Sequence, residues 1–198
     1  MAHVVGSLVL MADYSWKSNT ELCVGDYILG ADLISATVIE THSMIMSNVI
    51  RILSTIECPQ LQFMESESLW AKDKNRQWWW VENVGLVQRT WKINKKGLKK
   101  IDSHLVSYDV EFATLNGFEK RTIVDITENY SSDSNLIFFR TDRCCPVIIN
   151  GHVASSGLDE FTYDYTKFDW LSSYTQLVQS GKLDLIKNSF NINSSKIN

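Results

Sequence analysis

The chain has no excess of positive charge: 19 lysines and arginines stand against 23 aspartates and glutamates, a net charge of -4 with a pI near 5.6. A protein that grips a phosphate backbone normally carries a basic face, so this balance predicts no nucleic-acid partner. It leaves room for a local patch, and residues 92–100, KINKKGLKK, form one. No aromatic is interleaved there beyond Trp91, and the run reads as a solvated hairpin or loop. Cysteine pairs of the CxxC kind are missing as well. Cys23, Cys58, Cys144 and Cys145 suit neither a zinc site nor a secreted disulfide framework. They are expected to be reduced, buried thiols, the adjacent pair being too strained to bridge. His3, His42, His104 and His152 have no ligand partner at i+2 or i+4, so no metal and no cofactor are expected, and surface or strand-end positions are. The apolar stretch 4–12 lacks a basic lead-in, and Asp13 ends it at about half the length of a membrane span. Neither a membrane segment nor a signal peptide is expected.

What is present is ordinary globular composition, 44% hydrophobic and 21% charged, enough for one packed core. The length suits one medium domain, or a domain of about 150 residues with an appendage. Alternating, β-branched and aromatic segments predict strands at 4–11, 27–29, 36–41, 49–56, 61–64, 69–71, 84–91, 135–139 and 147–149. The clearest signal is a hairpin, in which Val106, Tyr108, Val110 and Phe112 share one face and Asn116-Gly117 supplies a type I′ turn. The fold class is therefore mostly β, with many short strands up to about residue 156. Helical periodicity arrives late: Phe168, Leu171, Tyr174, Leu177 and Val178 fall on one stripe of a helix over about 166–180. Thr166 is its expected N-cap, Asp169 its third residue and Gly181 its stop. The Asn- and Ser-rich tail beyond is expected to fray. This divides the chain into 1–156 and a C-terminal extension, 157–198.

The segments GSLVLMAD and ELCVGDYILGAD resemble the opening of the Hint fold, the all-β module shared by inteins and hedgehog C-terminal domains. LQFMESESLWA sits where that family has an internal Thr-x-x-His strand. SNLIFFRTDRCCPVIINGHVASS looks like its closing strands with their Asn-Gly turn. The resemblance spans residues 2–156 and implies a compact fold of interlocked strands. It also implies a reaction in which an N-terminal Cys or Ser attacks the preceding peptide carbonyl, an oxyanion is stabilised, and a His protonates the leaving amine. Splicing members add a closing His-Asn pair.

Carried over position by position, those groups are replaced. Ala2, with Met1 alone before it, stands where the nucleophile would be, Glu65 and Ser68 at the Thr and His positions, and Ser155 and Ser156 at the closing His and Asn. Serine cannot shuttle protons near neutral pH as imidazole does. Loss of one such group costs about a million-fold in a hydrolase triad. The chain is therefore expected to be catalytically inactive, not an enzyme. The alternative is a self-processing Hint domain whose nucleophile has been replaced by Ala2.

Three further features bear on partners. Trp78-Trp79-Trp80 cannot all enter one core from a strand, which makes them a candidate protein contact. DEFTYDYTKFDW, residues 159–170, is either a surface loop or an acidic docking segment, and Phe168 and Trp170 are taken with the tryptophans as contact residues. Asn150-Gly151 reads as a tight turn. The spelling LVLMADYSWK followed by VGDYILGAD, residues 8–17 and 24–32, resembles Hint segments of tailed-phage virion proteins, which implies a structural component of a particle, in a virion or host cytoplasm, whose partners are other protein subunits. A nucleic-acid or carbohydrate-binding module is a weaker reading, resting only on residues 92–100 and the tryptophans.

Overall fold

The computed structural model describes residues 2–46, 50–55, 63–64, 68–72, 78–84, 87–94, 97–101, 111–120, 123–129, 134–156, 163–164 and 167–194. In chain order the strands are β1 (Ala2–Val4), β2 (Leu8–Leu10), β3 (Trp16–Ser18), β4 (Tyr27–Leu29), β5 (Ser35–Met46), β6 (Ile50–Thr55), β7 (Phe63–Met64), β8 (Ser68–Lys72) and β9 (Trp78–Val84). They continue with β10 (Val87–Asn94), β11 (Gly97–Ile101), β12 (Glu111–Thr114), β13 (Gly117–Glu119), β14 (Ile123–Asn129), β15 (Ser134–Thr141), β16 (Val147–Ile149) and β17 (His152–Ala154). Two helices follow, α1 (Trp170–Gln179) and α2 (Lys182–Ser194). The strands form a four-stranded sheet β1-β15-β5-β4, a ten-stranded sheet running from β11 to β3 through β8 and β17, and a three-stranded sheet β14-β6-β7. The mostly β expectation holds, with two helices where one was expected.

The single strand expected at 4–11 is two strands in two sheets. Gly6 takes φ +86, a left-handed conformation that favours glycine, and breaks the run. Asn19 holds the break: its Oδ1 accepts from Gly6 N at 2.9 Å and its Nδ2 donates to the Val4 carbonyl at 2.8 Å. Likewise 84–91 spans the end of β9 and the start of β10. Of the expected long hairpin, positions 106–110 lie outside the described residues. The turn after β12 also differs. Thr114 pairs with Gly117, and Gly117 alone takes positive φ, so Asn116-Gly117 is not a type I′ turn. That turn occurs at Asn150-Gly151 instead, where both residues have positive φ (+49 and +74) between paired Ile149 and His152.

The expected helix starts late. Asp169, not Thr166, is the N-cap, its Oδ1 accepting from Leu171 N at 3.0 Å, while Thr166 lies outside the described residues. The shift turns the buried face to Trp170, Ser173 and Leu177, leaving Leu171 and Val178 half exposed. Gly181 (φ +69) does end α1, but residues 182–194 form α2 rather than fraying, and 195–198 lie outside the described residues. Leu183 and Ile186 bury, Phe190 packs on Trp16 with ring centroids 4.8 Å apart, and Trp16 Nε1 donates to the Ile186 carbonyl at 3.0 Å.

Two apolar clusters lie on opposite faces of the large sheet. One joins Val9, Ile28, Val38, Leu69, Phe139, Val147 and Ala154; the other joins Leu8, Leu10, Trp70, Ile148 and Val153 to Phe168, Trp170, Leu183 and Ile186. The extension thus shares a core with the β domain. Among the described residues, no helix is long and apolar enough to cross a membrane.

Candidate functional site

Strands distant in sequence bring the resemblance-assigned positions toward one region. β1 pairs antiparallel with β15, setting Ala2 opposite Phe138, and packs against β7, which leads into the segment ending at Ser68. β8 pairs with β17 through Leu69 and Ala154, and continuing that antiparallel register sets position 68 opposite position 155. Alternation along β17 puts His152, Ala154 and position 156 on one face and Val153 and position 155 on the other. Ser155 is fully buried, and Ser156 is nearly so, its Oγ having no hydrogen-bond partner. Glu65 lies outside the described residues.

The histidines correct an expectation. His3 is buried in the middle of β1, against that expectation; His152 opens β17, the strand-end position expected, and is buried as well; His104 lies outside the described residues. The His152 Nδ1 is 2.9 Å from the Asn150 carbonyl, which can only accept, so Nδ1 donates there. The His3 ring lies 5.4 Å from Phe139, on the face of β1 opposite to Ala2's. The described histidine in Ala2's own cross-strand row is His42, reached through Phe138. Strand spacing puts it about 10 Å away. It is exposed, as expected, and its Nε2 is 2.5 Å from Glu40 Oε1. An acyl shift needs a nucleophile with a base in hydrogen-bond reach. Ala2 offers none, and its row supplies no adjacent imidazole.

Asn150 is committed to structure. Its Oδ1 accepts from Leu8 N at 2.8 Å and its Nδ2 reaches Ser7 Oγ at 3.3 Å, tying the Asn150 turn to β2. The cysteines divide. Cys145 is buried, and desolvation pushes its thiol up to about 12, so it stays protonated near neutral pH. Cys144 is partly buried and Cys23 is exposed, which corrects the expectation of buried thiols throughout; Cys58 lies outside the described residues.

One constellation went unnoticed in the sequence. Asp32 Oδ2 accepts from Tyr163 Oη at 2.8 Å and from Arg143 Nη2, and Arg143 Nη1 donates to the Ile34 carbonyl at 2.9 Å. Burial first, then the hydrogen bond to Asp32, raises the Tyr163 hydroxyl well above its ordinary range. This node ties the extension to the turn after β4. Its only sequence cue was the Gly30-x-Asp32 turn, since its partners are more than a hundred residues away. A groove of about 620 Å³ beside β3 and β4, lined by Met11, Trp16, Lys17, Asp26, Tyr27 and Ser35 among others, contains none of the resemblance-assigned positions.

The expected contact residues also divide. Phe168 and Trp170 are interior: Phe168 meets Trp70 edge to face at 5.0 Å, and Trp170 Nε1 donates to the Gly117 carbonyl at 3.0 Å. They hold the extension to the sheet and present no contact surface. Trp78, Trp79 and Trp80 open β9, which is paired on both sides, with alternate residues on opposite faces as expected of a strand. Among the described residues, no group of three or more His, Cys, Asp or Glu comes together as a metal site.

No family model and no curated protein matches the chain. Among solved structures it is similar to an intein-like domain from Clostridium thermocellum determined in solution, at 12% identity and a TM-score of 0.50, covering 79% of this chain and 98% of that one. A DnaB intein from Synechocystis sp. PCC 6803 aligns at 15% identity and a TM-score of 0.48, covering 80% of this chain and all of the intein. At such identities the likeness speaks for the fold. The fold is of the Hint type.

Proposed function

We propose that this Hint-type domain does not cut its own backbone and serves as a structural or assembly component of a tailed-phage particle, in its tail, neck or baseplate. One observation carries the first half. Where the fold's chemistry draws on a nucleophile, an imidazole and a terminal His-Asn pair, the chain has Ala2, Ser68, Ser155 and Ser156. His3, on the face of β1 opposite to Ala2's, does not substitute for them. What supports the second half is the resemblance of the opening segments to virion Hint sequences and the run Trp78–Trp80, which alternation along one strand cannot send into a single core. Phe168 and Trp170, being interior, are no part of that contact.

The test is intact-mass measurement of the protein expressed from its natural reading frame, before and after incubation with thiol. An unchanged mass is expected. Release of a peptide at position 2 or after position 156 would establish the self-processing alternative. For the assembly role, the paired substitution Trp79→Ser and Trp80→Ser is expected to lower incorporation into particles; undiminished incorporation removes these residues from the contact.

A further inference from the structure

The outer strands of the large sheet assemble a pattern invisible in the linear sequence. Register pairs Ala71 with Trp79, Trp79 with Lys92, and Lys92 with Lys99, one row across β8, β9, β10 and β11. The adjacent row runs Trp70, Trp80, Trp91, Lys100 on the other face. Residues directly opposite share a face, so Trp79 is placed beside Lys92, thirteen positions on, and Trp91 beside Lys100, nine positions on. Charge is concentrated here too. Between β9 and the end of β11 the chain carries Arg89, Lys92, Lys95, Lys96, Lys99 and Lys100 against Glu82 alone, a net of +5 in a molecule of net -4, which leaves -9 for the remainder.

We infer that this three-stranded arm binds single-stranded nucleic acid, with Lys92 and Lys99 supplying charge to the phosphates and Trp79 a stacking surface for a base. The pattern is that of non-specific single-strand binders, in which a basic track is interleaved with aromatics that accept any base. Whole-chain charge argues against a phosphate ligand only if charge is spread evenly, and it is not. Lys92 directly opposite Lys99 is a like-charge pair that weakens the hairpin by itself, and an anion laid across both relieves the repulsion. Lysines do guard edge strands against aggregation, which accounts for Lys99 and Lys100 on the edge strand β11. It does not account for Lys92, one strand further in, or for the tryptophan in its row. An acidic protein segment would satisfy the lysines but gives no reason for the alternation with indoles. The inference stands whether or not the domain has lost self-cleavage.

The experiment is fluorescence anisotropy of the full-length protein with a labelled oligothymidylate of about 16 nucleotides. Binding is expected at low salt, weakening roughly fifty-fold between about 50 and 200 mM salt if about four phosphates are engaged. The double variant Lys92→Gln, Lys99→Gln is expected to weaken binding and reduce the salt slope by about 1.4. Trp79→Ala is expected to weaken it about five- to 150-fold. Because Trp79 neighbours the core at Ala71, the lysine variant, checked by its thermal melt, decides if Trp79→Ala does not fold. Absence of binding at low salt, unchanged binding by the lysine variant, equal affinity for a duplex, or equal affinity for polyglutamate would each overturn the inference.

Discussion

A side chain at position 30 has nowhere to go. A Cβ there would lie 2.5 Å from Asp32 Oδ1, 2.8 Å from the Ile34 carbonyl and 3.0 Å from Cys145 Sγ. The carbonyl is backbone, and the carboxylate is fixed by Arg143 and Tyr163, so neither can yield without loosening the node that anchors the extension. Gly30→Ala is therefore expected to cost about 1–3 kcal/mol of unfolding free energy, as overpacking does. The comparison is Gly25→Ala, which meets nothing within 4 Å but sits at φ +97, where only the backbone term of about 1–2 kcal/mol applies. Urea denaturation of both variants checks this. If Gly30→Ala is no more harmful than the wild-type glycine, the turn is not tightly closed. The glycine and aspartate were legible as a turn, but the reason for the glycine was not, because the atoms that exclude a methyl group include one contributed by Cys145.

The helices show how local signals are kept and lost. Leu183, Ile186 and Phe190 follow an i, i+3, i+7 spacing, which is the pattern of a buried helical face. Asparagines and serines between them disguise it as a polar tail, and only the docking of that face on Trp16 makes it a helix. Ile186→Ala is expected to destabilise the protein by about 2–5 kcal/mol, since the side chain is fully buried. Leu185→Ala, one residue away but 53% exposed, is expected to stay within about 0.5 kcal/mol. Equal effects at 185 and 186 in chemical denaturation would place α2 off the core. Turn chemistry was read with similar partiality. Both Asn-Gly pairs announce turns, yet only Asn150-Gly151 takes the doubly left-handed form, because the register of the flanking strands, not the dipeptide, decides which residues occupy the loop.

At the scale of the molecule, the Hint-type architecture was legible because GSLVLMAD and VGDYILGAD carry it in their first thirty-two residues, and the surrounding strands follow from alternation. What no local pattern could carry is the interlocking. The opening apolar run is divided by Gly6 between two sheets, and its halves pair with strands near the far end of the β domain, β1 with β15 and β2 with β16. The same long reach brings Asp32 beside Tyr163. Folding dominated by such pairings is slow, with refolding expected in milliseconds to seconds or longer. Stopped-flow tryptophan fluorescence measures it, and completion in microseconds would contradict this connectivity.

The partner of Ala2 lies at position 138, so during synthesis the first strand leaves the ribosome long before the strand that will receive it. At about 5–20 residues per second that interval lasts roughly 7–27 s. Throughout it an apolar segment waits in the cell without its mate, a natural client for whatever shelters nascent chains.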